Sequence, residues 1–266
     1  MSARVTGRPS PVAARIVVAV VGGLFLIPLV AMLEFTLRQT AGGYGLEHWA
    51  ALFDPENARR YRTLFQGIGN SFALAAIALA IVLVLFFPTI VLVHLRFPRL
   101  ERGLDLLTVL PIAIPAIVLV VGFAPVYRVI GQLFGSGAWT LGLAYGVLVL
   151  PFAYRAIHGN LTGVDVRTLA EAARSLGAGW GTVIARILLP NIRRGLLAAS
   201  VIACAVVLGE FTIASLLNRN NLQTALLVIQ ASDPFIAIIF TLLALAFAFG
   251  LLLILGRAGA TTRRRK

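Results

Sequence analysis

Residues 169–190 read LAEAARSLGAGWGTVIARILLP and contain two successive amphipathic patterns in a chain otherwise dominated by apolar runs. Each pattern places apolar residues at positions i, i+3, i+4 and i+7, first Leu169, Ala172, Ala173 and Leu176, then Trp180, Val183, Ile184 and Ile187. This spacing puts the side chains on one face of a helix. The stretch is therefore predicted to form two short amphipathic helices with a hinge at 177–181.

Several residues are candidates for starting or ending these two helices. Thr168 followed by Glu171, and Thr162 followed by Asp165, have the spacing of a capping box at a helix start. Gly177 follows the first pattern at once, where a helix end favours a residue that tolerates positive φ. Pro190 is predicted to end or redirect the second helix. From spacing alone, the pair could lie on a bilayer surface or dock into a groove of a partner protein.

The composition excludes an ordinary soluble domain. Of the 266 residues, 59% are hydrophobic and 12% are charged, whereas soluble domains carry about 25% charged residues. The net charge of +13 could indicate nucleic-acid binding. The basic residues are spread between long apolar runs, however, and that placement fits a membrane topology better.

Six apolar runs reach the length of about 20 residues that a membrane-spanning helix requires. They are 15–36, 70–95, 104–123, 139–157, 195–217 and 234–255. The first run is longer than a signal-peptide core and lacks a clear cleavage site, so we interpret it as an uncleaved span. Of the 23 basic residues, 17 lie in alternate connecting segments. The positive-inside rule then predicts that both termini are cytoplasmic.

These assignments divide the chain into a cytoplasmic segment (1–14), a first transmembrane helix (15–36), an external loop (37–69), a five-helix core (70–256) and a basic cytoplasmic tail (257–266). The longest cytoplasmic loop, 158–194, contains the stretch described above. The second and third external segments are 127–138 and 218–233, and the latter is polar. Gly142 and Gly146 form a Gly-x-x-x-Gly pair that suits close helix packing.

The amino-acid sequence of the cytoplasmic loop 158–194 resembles a known motif. Glu171-Ala172-Ala173, then Gly177, then Ile187-Leu188-Leu189-Pro190 is similar to the EAA motif of ABC importer permeases. Asn70-Ser71, the proline-interrupted third run and Leu208-Gly209-Glu210-Phe211 also look like this family, from about residue 60 to 256. The chain looks closest to the spermidine/putrescine-type permeases, although molybdate, sulfate, phosphonate and ferric-iron permeases share much of the pattern.

The resemblance implies an all-α inner-membrane protein with a type I importer permease (MetI-like) core and a cytoplasmic coupling-helix loop. Such a subunit forms half of a translocation pathway, and its loop seats in a cleft of the ATP-binding subunit. The residues that would couple the two are Glu171, Ala172, Ala173, Leu176, Gly177, Ile187, Leu189 and Pro190.

The implied partners are a dimer of ATP-binding subunits, a second permease subunit that is identical or homologous, and an extracytoplasmic substrate-binding protein. ATP and Mg²⁺ would be used by the partner subunits, and no cofactor is expected on this chain. The expected substrate is a polyamine, and the alternatives are an oxyanion, an organophosphonate or ferric iron. A different class, an ATP-independent channel or secondary carrier, is also possible from the apolar runs alone.

The predicted spans contain few ionisable residues, and several prolines. Glu210 is the one acidic residue deep in a run, and it could line the pathway, cap backbone groups or pair with an arginine at an interface. Pro111, Pro115 and Pro125 are predicted to break the third span and Pro151 the fourth, which indicates either a gate or packing kinks. Pro111 and Pro115 are therefore further candidate pathway residues.

No catalytic residue or metal site is predicted. A Walker sequence is missing, so the chain is not expected to hydrolyse ATP itself. His48, His94 and His158 lie far apart in the sequence, and no two have the spacing of metal ligands.

Overall fold

The computed structural model describes residues 10–39 and 42–260, and only the backbone of residues 58 and 255–260. Arg4, Arg8 and the tail residues 261–266 lie outside the described residues. What is described is almost entirely helical, apart from an isolated β-bridge between Arg38 and Tyr44. Six of the described helices are long and apolar enough to cross a membrane. The predicted all-α fold with six spanning helices is confirmed.

The main helices, numbered in chain order, have the following bounds. They are α1 (Pro11–Leu37), α2 (Arg62–Arg96), α3 (Pro98–Ala113), α4 (Ala116–Phe134), α5 (Ala138–Thr162), α6 (Val166–Ser175), α7 (Trp180–Gly209), α8 (Thr212–Leu216), α9 (Leu222–Ser232) and α10 (Pro234–Ala260). Short helical turns at Glu47–Ala50, Ala51–Phe53 and Asn57–Arg60 lie between α1 and α2.

The chain forms two compact units. Among the described residues, the smaller unit contains those up to Arg60 together with Ile229–Ala246, and the larger contains Tyr61–Val228 and those from Phe247 onward. In the smaller unit, the ring of Phe235 stacks on Phe35 and on His48, with centroid distances of 4.8 and 3.9 Å. These rings connect the start of α10 to the end of α1.

The core of the larger unit is built around α5, which packs on α2, α3 and α7. A Cβ atom on Gly142 would lie 2.5 Å from Cγ2 of Ile77, and one on Gly146 would lie 3.1 Å from Cδ1 of Ile81. The close packing predicted for this glycine pair is therefore confirmed, and α2 is the helix that it contacts. Gly195 of α7 makes a similar approach, because a Cβ there would lie 2.6 Å from the Ala156 carbonyl oxygen.

Two prolines inside long helices each follow a wide π-helical turn. The π turns are Ile81–Phe86 before Pro88 and Val183–Leu188 before Pro190. At their ends the N–H groups of Phe87 and Leu189 donate five residues back, to the carbonyls of Val82 and Ile184. Proline lacks an N–H and clashes with the carbonyl four residues earlier, and a wide turn shifts the register of those carbonyls.

Because of this turn, α7 continues through Pro190, so the prediction that Pro190 ends or redirects the helix is wrong. The second amphipathic pattern is the beginning of the fifth spanning helix. The connection between the fourth and fifth spanning helices is therefore residues 163–179, shorter than the predicted 158–194.

The third predicted span, 104–123, is two helices. Ile114 is extended, with φ −94° and ψ 126°, because the residue before Pro115 is disfavoured in the α conformation. Pro111, Pro125 and Pro151 lie inside α3, α4 and α5. Of the predicted breaks, only the one at Pro115 occurs, and the third spanning helix is Ala116–Phe134.

Other boundaries also differ from prediction. α2 begins at Arg62, inside the predicted external loop 37–69, and α10 continues to Ala260, beyond the predicted start of the tail at 257. The fifth predicted span, 195–217, is interrupted after Gly209. Most of the predicted polar segment 218–233 is the apolar helix α9, and its polar residues are concentrated at 218–221.

Candidate functional site

The loop helix α6 begins at Asp165. Its carboxylate accepts hydrogen bonds from the backbone N–H of Thr168, at 3.2 Å, and from the Thr168 hydroxyl, at 2.7 Å. These two hydrogen bonds hold the pKa of Asp165 below its usual value. Asp165 is thus the N-cap, and neither Thr162 nor Thr168 starts the helix as the capping-box patterns predicted.

The end of α6 is determined by Gly177. Its φ is +86°, its N–H donates to the Arg174 carbonyl at 2.9 Å, and the next N–H, of Ala178, donates to Ala173 at 3.0 Å. This pair of bonds is a Schellman motif, which requires a left-handed residue at the position of Gly177. The prediction that a glycine with positive φ ends the helix is confirmed.

The two faces of α6 differ in exposure. Val166 and Ala170 are buried against the rest of the larger unit, whereas Leu169, Ala172 and Leu176 are exposed. Leu176 is 90% exposed. Three of the four residues of the first amphipathic pattern therefore form an exposed apolar strip, and the fourth, Ala173, is half-buried.

Glu171 lies beside this strip. Its side chain is exposed, and within the described residues no hydrogen bond or ion pair to its carboxylate is found. It lines a cavity of about 270 Å³ between α6 and the ends of α2 and α7. The cavity is lined by Leu95, Arg96, Arg167, Ala170, Glu171, Arg174 and Trp180. Three of these residues are arginines, so the surroundings of Glu171 are predominantly basic. The guanidinium carbon of Arg174 lies 4.7 Å from the centroid of the Trp180 ring.

The second part of the motif lies on α7, whose first turns pack against α6. Leu188 is buried, Ile187 is half-buried, and Leu189 and Pro190 are exposed. Of the predicted coupling residues, Glu171, Ala172, Leu176 and Gly177 thus form the exposed part of α6 and its turn. Leu189 and Pro190 are also exposed, and both lie just after the wide turn.

Glu210 belongs to a second polar site, at the break between α7 and α8. It is 8% exposed and has an extended backbone. Its carboxylate accepts hydrogen bonds from the N–H groups of Ile213, at 2.7 Å, and Ala214, at 3.3 Å, and from the Tyr145 hydroxyl at 2.8 Å. The carboxylate therefore caps the start of α8, and within the described residues it has no arginine partner.

Asn221 extends this cluster. Its side-chain nitrogen donates to the Tyr145 hydroxyl at 3.0 Å and to the Glu210 carbonyl at 2.6 Å, and its side-chain oxygen accepts from the Thr224 N–H at 2.9 Å. One residue later the Leu222 N–H donates to the Ser71 hydroxyl at 2.8 Å. These contacts connect α2, α5, the break after α7 and the start of α9. The other candidate pathway residues lie at the α3–α4 junction, with Pro111 half-buried and Pro115 exposed.

The structure also brings together residues that the sequence analysis kept apart. Glu101 contacts His94 Nδ1 at 2.8 Å and His158 Nε2 at 2.6 Å. Two of the three histidines that lie far apart in the sequence therefore share one carboxylate partner. Burial acts to raise the pKa of Glu101, but the hydrogen bonds to His94 and His158 outweigh burial and lower it overall.

Tyr145, Asn221 and Glu101 were not identified from the sequence as site residues. Tyr145 binds Glu210 across 65 residues, and Glu101 contacts His158 across 57 residues as well as His94, seven residues away. Asn221 follows three polar residues in the segment Asn218–Asn221, and that composition was the one available signal.

Among the described residues, six helices are long and apolar enough to span a membrane, and the exposed helix α6 lies between the fourth and fifth of them, so the chain is a multi-pass membrane protein. Residues 90–261 match the family described as binding-protein-dependent transport system inner membrane component. This match covers well over half of the chain, and the chain belongs to that family.

Three relatives illustrate the similarity. The chain is 25% identical to the probable ABC transporter permease protein y4fN of Sinorhizobium fredii, over 92% of this chain and 46% of that protein. It is 28% identical to the spermidine/putrescine transport system permease protein PotB of Haemophilus influenzae, over 72% of each chain. It is 46% identical to the molybdenum transport system permease protein ModB of Escherichia coli, over 26% of this chain and 30% of that one. The matches to y4fN and ModB thus cover less than half of those relatives.

Proposed function

We propose that this chain is the permease subunit of an ATP-binding-cassette importer, forms half of the substrate pathway, and receives the motion of an ATP-binding subunit through α6. The observation that carries the proposal is the exposed strip Leu169, Ala172 and Leu176 on a helix fixed at both ends. A short helix held by Asp165 and Gly177 transmits displacement with little deformation. Its apolar strip offers the anchors that a groove on a partner requires.

The alternative place for the strip is the bilayer surface. The position of Glu171 favours docking on a partner protein. Its carboxylate lies beside the apolar strip without a partner in the described residues, and an ionised carboxylate is more stable in a polar cleft than in hydrocarbon. ATP and Mg²⁺ would be bound by the partner subunits, and a second permease subunit and an extracytoplasmic binding protein would complete the assembly. The arginine distribution supports an orientation with both termini and α6 in the cytoplasm.

Substitution of Leu176 by serine tests the docking role. In membranes that also contain the cognate ATP-binding subunit, we expect Leu176→Ser to reduce recovery of that subunit and ATP-driven uptake by at least about tenfold, because the most exposed apolar anchor is lost. The matched control is Leu46→Ser, which changes a leucine that is 67% exposed in the segment between α1 and α2.

Equal recovery with Leu176→Ser and Leu46→Ser would contradict docking through α6. Uptake that continues without any ATP-binding subunit would instead indicate an ATP-independent channel or carrier.

For the substrate we propose a polyamine, with an oxyanion such as molybdate or sulfate, an organophosphonate or ferric iron as the alternatives. The similarity to PotB over most of both chains supports the polyamine, and the similarity to ModB supports the oxyanion. Calorimetric titration of the cognate binding protein with spermidine, molybdate, sulfate, an organophosphonate and ferric iron separates these choices. Binding of spermidine alone is the expected result, and binding of one of the others would replace it.

A further inference from the structure

His94, Glu101 and His158 form a cluster beside the start of α6. They lie in the last turn of α2, the first turn of α3 and the second half of α5. One ligand atom from each, the two ring nitrogens and a carboxylate oxygen, fall within 4.8 Å of one another. The guanidinium of Arg167 on α6 donates to the His94 carbonyl at 2.7 Å, so the cluster is tied to the loop helix.

The dimensions of the cluster suit a small divalent metal ion. Ligand atoms that bind Zn²⁺ tetrahedrally at about 2.1 Å lie about 3.4 Å from one another. His94 Nδ1 and His158 Nε2 lie 2.8 and 2.6 Å from the Glu101 oxygen. Small side-chain rotations would increase these distances to the separation that a bound ion requires. The side chains of His94, Glu101 and His158 are 14%, 25% and 27% exposed, which leaves an entry path from solution.

Tyr154 provides a second, independent observation. Its side chain is 2% exposed, and its hydroxyl has no hydrogen-bond partner among the described residues. Its ring stacks on His158 with a centroid distance of 5.0 Å. A buried hydroxyl without a partner is unfavourable, and structures normally satisfy such a group with protein or ordered water. Water bound to a metal ion in this cluster would satisfy it.

We propose that His94, Glu101 and His158 bind a divalent transition-metal ion of the Zn²⁺ class, with the Tyr154 hydroxyl paired to a water in the remaining coordination position. Two imidazoles and one carboxylate with an open position are a ligand set that such ions accept. The bound ion joins α2, α3 and α5 at the point where Arg167 holds α6.

Zn²⁺ titration of the full-length, untagged chain in lipid nanodiscs tests the site. We expect one ion per chain, and at least about tenfold weaker binding for His94→Gln and for His158→Gln, because glutamine is a poor ligand for this ion. Glutamine can still donate a hydrogen bond to Glu101. Both variants should therefore melt near the wild-type temperature in chelator, while the increase in melting temperature on adding Zn²⁺ should be lost.

The matched control is His48→Gln, which removes the third histidine and lies in the other compact unit. It should bind Zn²⁺ like the wild type. With Co²⁺ in place of Zn²⁺, the wild type should show visible absorption bands of a four-coordinate ion that both site variants lack. Equal Zn²⁺ affinity in the wild type and the two site variants would overturn the proposal, and so would a titration without a one-ion stoichiometric step.

Discussion

Glu171 lies within the exposed helix α6, whereas Glu210 directly follows the end of α7, and the surroundings of these two acidic residues differ. Glu171 lies on an exposed helix surface, and its carboxylate has no partner among the described residues. Glu210 is buried, and three donors of the same chain occupy its carboxylate. An exposed carboxylate without a partner costs little to keep in water, whereas a buried carboxylate is stable only when donors of the protein bind it.

The comparison also distinguishes local from assembled sites. The loop helix is completed within the short segment from Asp165 to Ala178, because its N-cap, its helix and its Schellman motif are neighbours in sequence. The Glu210 cluster needs Tyr145, 65 residues away, and Asn221. Changes at the loop should therefore affect transport more than stability, and changes at the cluster should affect stability first.

The largest expected effect is that of Glu210→Ala. The N–H groups of Ile213 and Ala214 and the Tyr145 hydroxyl would lose their acceptor in a buried place, so we expect the free energy of unfolding to fall by about 3 kcal/mol. Titration with sodium dodecyl sulfate in mixed micelles measures this change. Glu171→Ala is the matched control and should leave the unfolding midpoint unchanged.

Equal unfolding midpoints for the two alanine variants would remove the distinction between the two sites. Glu210→Gln sharpens it further, because glutamine can still accept a hydrogen bond and should restore part of the lost stability. If Glu210→Ala changes neither uptake nor the stability of the complex, both the structural and the pathway role of Glu210 are wrong.

A smaller effect is expected for Gly177→Ala. The φ of +86° costs an alanine about 1 kcal/mol, although no atom lies within 4 Å of the added Cβ. The strain should loosen the end of α6, which hydrogen–deuterium exchange of the peptide covering 166–178 would detect. Gly179→Ala is the matched control, because Gly179 has a φ of −74° and equally open surroundings. The same increase in exchange in both variants would show that left-handed backbone at Gly177 is not what holds the helix end.

The features that could be predicted from the sequence are those with local causes. Gly177 ends its helix because of the backbone of that one residue, and Pro115 breaks a helix through its effect on Ile114. Apolar length alone is enough to indicate six spanning helices.

The remaining features depend on tertiary contacts. Whether a proline interrupts a helix depends on the turn before it, and the wide turn ahead of Pro190 has no distinct residue pattern. His158 contacts Glu101, which is 57 residues away in the sequence, and Asn221 donates a hydrogen bond to Tyr145, which is 76 residues away. These pairings arise only when α5 packs at the centre of the larger unit, so spacing along the chain could not reveal them.

The smallest expected effect is a pH dependence at Asp165. Hydrogen bonds from Thr168 lower the folded-state pKa of Asp165. The stabilisation from its ionised form is therefore complete above the unfolded-state value of about 3.9 and is lost as the pH falls through the lowered folded value. Asparagine accepts the same capping hydrogen bond without titrating. Asp165→Asn should match the wild type at neutral pH, and below about pH 4 only the wild-type α6 should lose protection from hydrogen exchange, after correction for intrinsic rates. If both proteins lose protection to the same extent, the start of α6 is held by its packing through Val166 and Ala170 and not by its cap.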